Sequence, residues 1–160
     1  MILLHRALGA LSLLSAALFA CPAGAGDSVL ERNASATQVE IIDREVGTGR
    51  VVARNAFAVL HYTAWLYDPD APDHKGKQFA SSRDQGESLT FVYGLKRVLP
   101  GLEKGLAGMR VGGRRTLVVP PNLAYDGLKY PRPADVPAST ALVFDVELID
   151  VVPQSAPPDQ

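Results

Sequence analysis

Between its two ends this chain is dominated by short runs rich in β-branched and aromatic residues, and only one stretch shows the spacing of a helix. The clearest alternation lies at 141–152, where Leu142, Phe144, Val146 and Leu148 fall on one face and Asp145 and Glu147 on the other. Shorter β-rich runs are predicted at 39–43, closed by a Gly47-Thr48-Gly49 turn, and at 57–66, 78–83, 89–93 and 114–119. A helix is predicted over 99–107, with Leu99, Leu102 and Leu106 at i, i+3 and i+7, Pro100 in the first turn and Gly108 as the stop. That leucine stripe has to be covered, and the one partner large enough is the concave face of a sheet. The predicted class is therefore α+β: a curved antiparallel β-sheet wrapped around one short α-helix, with no internal repeat.

The two ends depart from this pattern. His5 and Arg6 precede an almost uncharged apolar run at 7–20, too short to span a bilayer comfortably, since that takes roughly 20 apolar residues. With Ala23-Gly24-Ala25 after it, the run predicts a signal peptide over 1–25, cleaved after Ala25, and hence a periplasmic or secreted protein with no stable membrane span. Cys21 is the sole cysteine, which excludes an intrachain disulfide. It leaves a second option open: Leu18-Phe19-Ala20-Cys21 as a lipobox, with the protein anchored through an acylated Cys21. A polar, aperiodic segment at 26–37 predicts a flexible linker, 38–152 the folded domain, and the proline-rich 153–160 a disordered tail.

Charge and reactive residues change the picture mainly by subtraction. A formal net charge of -1 gives no drive toward phosphate backbones, so nucleic acid is not an expected partner. His61 and His74 have no cysteine near them in sequence, and Asp68, Asp70 and Asp73 are interrupted by Pro69 and Pro72. Neither a metal site nor a calcium loop is expected, nor any cofactor. Glu103 and Lys104 are expected on the solvated helix face. What the chain does supply is aromatic residues where strands give way to loops: Tyr62, Phe79, Phe91, Tyr125, Tyr130 and Phe144. Phe91 reads as core, whereas Tyr125 and Tyr130 sit in a proline-rich loop, where function is the more natural role. The pattern points to a pocket and not to a proton relay, in a lone domain expected to be monomeric.

Five ordered blocks, Val59-Leu60-His61-Tyr62-Thr63, Phe79-Ala80-Ser81-Ser82-Arg83-Asp84, Val98-Leu99-Pro100-Gly101-Leu102-Glu103, Gly108-Met109-Arg110-Val111-Gly112-Gly113 and Ala141-Leu142-Val143-Phe144-Asp145-Val146-Glu147-Leu148, resemble consecutive blocks of FKBP-type peptidyl-prolyl cis/trans isomerases. The resemblance covers 39–152 and implies the same sheet-on-helix fold. It implies a prolyl pocket with floor and walls from Tyr62, Phe79, Leu89, Val98, Leu99, Leu102, Tyr125 and Phe144, and an outer rim from Tyr130 and Val136. Tyr62, Tyr125 and Phe144 would act on the substrate, Tyr125 by donating its hydroxyl to a substrate carbonyl. The implied partners are unfolded or partly folded exported proteins with exposed X-Pro bonds, and macrolide ligands.

The chain also departs from that family. Ala80 follows the pocket phenylalanine where an acidic residue is usual, which predicts a weaker isomerase or a binding module that catalyses nothing. Leu102 stands for a common tryptophan and Leu89 for a phenylalanine. The loop at 67–76 is longer than the usual turn, and Asp126-Gly127 follow Tyr125 in place of glycine alone.

Overall fold

A computed structural model of the protein describes residues 37–126 and 131–154. The proposed signal peptide, nearly all of the linker, Tyr130 and the tail beyond residue 154 lie outside the described residues. Six strands, β1 (Glu40–Glu45), β2 (Ala56–Tyr67), β3 (Lys75–Ser81), β4 (Leu89–Val92), β5 (Arg114–Val119) and β6 (Leu142–Pro153), join in one sheet, and one helix, α1 (Pro100–Gly105), lies between β4 and β5. The sheet order is β1-β5-β6-β2-β3, every pairing is antiparallel, and β4 also pairs with β2. β2 and β6 pair over almost their whole lengths, so β3 and β4 share the other edge of β2 in tandem. This is the predicted α+β class. Among the described residues no helix is long and apolar enough to cross a membrane.

The alternation predicted for the last strand holds until Leu148 and then breaks. Leu60 pairs with Leu148 but Val59 pairs with Asp150, so Ile149 is an extra, exposed residue and Val151 takes the next buried position. Such a bulge bends and twists the strand and shifts the phase of its inward face, which lets a long strand wrap. β6 ends at Pro153, one residue into the segment expected as tail.

The helix is shorter than predicted. Its last α-type bond runs from the Leu106 N–H to the Leu102 carbonyl, after which Ala107 and Met109 donate to carbonyls only three residues back and Gly108 turns at φ +71°. The Arg115 guanidinium, on β5, donates to the carbonyls of Gly105 and Ala107, each at 2.8 Å, and its Nε pairs with Asp43. A cation thus meets the acceptors the final turn leaves open and the negative end of the helix dipole, an arrangement worth roughly 0.3–1 kcal/mol beyond the hydrogen bonds.

The long loop between β2 and β3 is a strap across the outer face. Asp73 pairs with Arg44 of β1 at 3.2 Å, Lys75 pairs with Asp145 of β6 at 2.7 Å, and the Tyr67 and His74 rings stack at 5.0 Å. Val118 and Val143 point away from the helix yet are 5% and 0% exposed, because this side of the sheet is covered too. The acidic cluster of Asp68, Asp70 and Asp73 belongs to this strap: Asp68 accepts the Asp70 N–H in a local turn, and Asp73 is ion-paired.

Candidate functional site

The site begins with the way α1 sits on the sheet. Gly101 and Gly105, one turn apart, both face β5. A Cβ on Gly101 would stand 2.2 Å from Val119 Cγ1, and one on Gly105 2.3 Å from Leu117 Cδ1. With no side chains between them, helix and strand approach closely, and the next residue along, Leu102, is 4% exposed against the sheet.

Opposite the helix, Tyr62 stands on the inner face of β2 with Phe144 of β6 beside it, ring centroids 6.4 Å apart and tilted by 46°. β2 at Tyr62 faces the interval between β3 and β4, where an edge would otherwise be open. Ser82 closes it: its Oγ accepts the Tyr62 N–H at 3.0 Å and bonds His61 Nδ1 at 2.9 Å, while its N–H donates to the Tyr62 carbonyl at 2.9 Å. Ser82 is 2% exposed. Its role fixes the backbone beneath Tyr62, which the sequence reading did not identify.

On β3 a second bulge builds the wall. Ala64 pairs with Ala80 but Trp65 with Gln78, so Phe79 is the extra residue. A bulge can turn two successive side chains to one side, and both Phe79 and Ala80 line the same hollow. Its remaining lining comes from Tyr62, Leu89, Arg97, Val98, Leu99, Leu102, Tyr125, Pro131 and Phe144, around a volume of about 270 Å³. All eight residues expected as floor and walls converge on this one space. Ala80, Arg97 and Pro131 are lining residues that the expected set lacked. Arg97 and Pro131 carried no signal in the sequence beyond adjacency to Val98 and Tyr130, whereas Ala80 stands where the family's acidic residue is usual.

Two expectations need correction and one lies beyond reach. Val136, expected on the outer rim, is 3% exposed and packs in the core, held in a turn by its N–H to the Pro133 carbonyl at 3.1 Å. A branched apolar side chain after a proline-rich turn is drawn inward whenever the loop folds back on the sheet. Glu103 is not merely solvated: its carboxylate accepts the Gly94 N–H at 2.7 Å and ties the loop after β4 to the helix. Tyr130 falls outside the described residues.

The Tyr125 hydroxyl is held above its ordinary pKa of 10.0, first by burial and second by the neighbouring Tyr62 phenol. It therefore keeps its proton, and its capacity to donate, across the neutral range. A larger groove, about 450 Å³, crosses the outer face between residues such as His61, Arg83, Arg114, Asp145 and Glu147. Its charges are spent on one another, Arg83 and Arg114 both pairing with Glu147, so it lacks the dry character of the inner hollow.

Fold and hollow together define an α+β domain with a phenol-lined apolar cleft between helix and sheet. The profile of the FKBP-type peptidyl-prolyl cis-trans isomerase family matches residues 49–149, and the chain belongs to that family. It is 38% identical over 113 residues to FK506-binding protein 4 of Chaetomium thermophilum, covering 71% of this chain and 21% of that protein. It is likewise 38% identical over 109 residues to the FKBP-type peptidyl-prolyl cis-trans isomerase FkpA of Escherichia coli, covering 68% of this chain and 36% of that one. The crystal structure of Escherichia coli FkpA superposes with a TM-score of 0.59 at 34% identity, over 78% of this chain and 56% of that one. The chain thus spans well under two thirds of the length of these relatives.

Proposed function

We propose that the protein is a peptidyl-prolyl cis/trans isomerase that takes X-Pro segments of unfolded or partly folded exported proteins into the hollow between α1 and the sheet. The observation that carries this is the convergence of Tyr62, Phe79, Leu89, Val98, Leu99, Leu102, Tyr125 and Phe144 on one apolar space. The reaction needs no bond cleavage. Rotation about the prolyl amide breaks its resonance against a barrier of roughly 18–20 kcal/mol, and uncatalysed exchange takes tens of seconds or more. The twisted amide is less dipolar than the planar one, so a water-poor cavity favours it over the ground state. Tyr125 supplies position in place of acid–base chemistry: its hydroxyl donates to a substrate carbonyl and holds the peptide while the amide turns. Macrolides would compete for the same space. Mixing the purified protein with a proline-containing test peptide and following cis-to-trans relaxation is the direct test, and absence of any acceleration at micromolar protein would overturn the proposal.

Two expectations follow for Tyr125. Tyr125→Phe is expected to lower turnover by about 5- to 10-fold, as for one lost hydrogen bond of ~1 kcal/mol or slightly more, while the unfolding midpoint moves little, because Tyr125 lines the hollow. Equal turnover in both forms would remove its role. The pH profile is the second. A phenol whose pKa is raised on folding contributes stability below pH 10.0 that is lost as pH rises through the raised value. Turnover should accordingly be flat from about pH 6 to 9 and fall only in alkali. A break in the profile near neutrality would mean that another group carries the positioning.

Ala80 favours a second reading, a segment-binding module that accelerates nothing. Peptide binding measured alongside relaxation separates the two: saturable binding without acceleration would select it.

A further inference from the structure

The charges of this domain are unevenly spent. On the outer face Arg44, Lys75, Arg83 and Arg114 each pair with a carboxylate. At the mouth of the prolyl hollow the balance differs. Arg97 is the only charged side chain lining it among the described residues, and with alanine at position 80 no carboxylate lines it at all. Arg97 is exposed and makes no ion pair with any described residue. The backbone carrying it, 96–100, is also the wall of an adjoining hollow of about 260 Å³ into which Arg54, Lys96 and Lys104 contribute. The one acid there, Glu103, accepts the Gly94 N–H and is outnumbered by Arg54 and Lys104. On the far side of the mouth, beyond Pro131, Arg132 and Asp126 lie 3.9 Å apart as a pair of opposite charges. The surplus at the entrance is therefore positive and lies on the Arg97 side.

From this we infer that the protein selects prolyl segments with an acidic side chain close to the proline, read by Arg97 with Arg54 and Lys104 behind it. The inference rests on the hollow being the prolyl site. An extended peptide whose proline ring fills the apolar space must run out past its rim, and the next one or two side chains then lie within reach of this cationic wall. A guanidinium suits the task, since it stays charged at every working pH and can hold a carboxylate through two parallel hydrogen bonds. A usual pocket carboxylate near the same mouth would oppose such a ligand by like-charge repulsion. The alanine at position 80 therefore does more than remove a polar wall: it leaves Arg97 as the sole charged side chain lining the hollow among the described residues.

The test uses the full chain and a set of peptides of equal length with one proline, carrying glutamate, glutamine or lysine at either of the two positions before or after it. Binding by fluorescence anisotropy and catalysis by cis-to-trans relaxation are both read. An exposed pair of this kind is worth a few tenths to about one kcal/mol, so glutamate is expected to improve kcat/KM about 2- to 5-fold over glutamine at one of the positions, and lysine to lower it by a similar factor. The spread should shrink in about 0.5 M salt, where screening acts over a few ångströms. Arg97→Glu should reverse the order, and Arg97→Gln should flatten it. Equal use of all three peptides, or an order that Arg97→Glu leaves unchanged, overturns the charge selection while leaving the prolyl site standing. Failure to bind or turn over any peptide overturns the prolyl site and this inference with it.

Discussion

Ala80→Asp is expected to raise isomerisation by about 5- to 150-fold, the span that corresponds to ~1–3 kcal/mol gained in the transition state. Ala80 lies on the bulged stretch of β3 next to Phe79, in the wall that Tyr62 and Tyr125 also line. A carboxylate there would accept hydrogen bonds from phenols in a partly dry space, where such bonds are stronger than in water, and would fix the ring proposed to position the substrate. Burying the new charge opposes this, and the nearby Arg97 offsets part of that cost. Relaxation assays on wild type and variant with the glutamine peptide decide the matter. An unchanged rate would mean that the missing carboxylate is not what limits it. The glutamate peptide adds a second readout: the same substitution should weaken any preference for acidic neighbours, because it restores negative charge at the mouth.

The second large effect concerns stability. Gly101→Val is expected to cost about 2–4 kcal/mol, since a Cβ there would meet Val119 Cγ1 at 2.2 Å and the Leu123 carbonyl oxygen at 3.1 Å. Val119 is fully buried and β-branched, so it has little rotamer freedom to yield. Relative to glycine, valine gains only a few tenths of a kcal/mol in helix propensity, too little to offset the overlap. At a urea slope of about 2 kcal/mol per molar, the unfolding midpoint should fall by roughly 1–2 M. The variant should also lose peptide affinity, because lifting α1 off β5 moves Leu99 and Leu102 away from the opposite wall. A midpoint equal to that of wild type would mean that the helix can ride outward without penalty, and the close approach would then not be what shapes the hollow.

Much of the architecture is legible in local pattern. Alternation at 141–152 and the β-branched and aromatic content of 57–66 identified the two longest strands, the first because one of its faces lies against the core and so repeats every two residues. The leucine spacing at 99–106 identified the helix because its stripe is buried on one side. The helix end was misjudged because Leu106 and Met109 continue the apolar pattern through a turn that is no longer helical: burial, which sequence periodicity tracks, outlasts the α-type hydrogen bonds. Glu103 and Val136 were misjudged for a related reason, since one charged and one apolar residue in a short segment carry no periodic signal about which way they face.

By itself, then, the sequence determined the strand and helix content and the inward faces, because those follow from period and composition over a few neighbouring positions, while the lining of the cleft came from the resemblance of its five blocks to the family. Tertiary structure alone decided how the cleft is closed and charged. The bulge at Phe79 turns Ala80 into the wall, Ser82 secures the strand edge beneath Tyr62, and two glycines set the helix height. The cation at Arg97 is left facing the entrance with no acid among the described residues to neutralise it. Each of these depends on which distant strand lies opposite, a distance through space that no local spacing encodes.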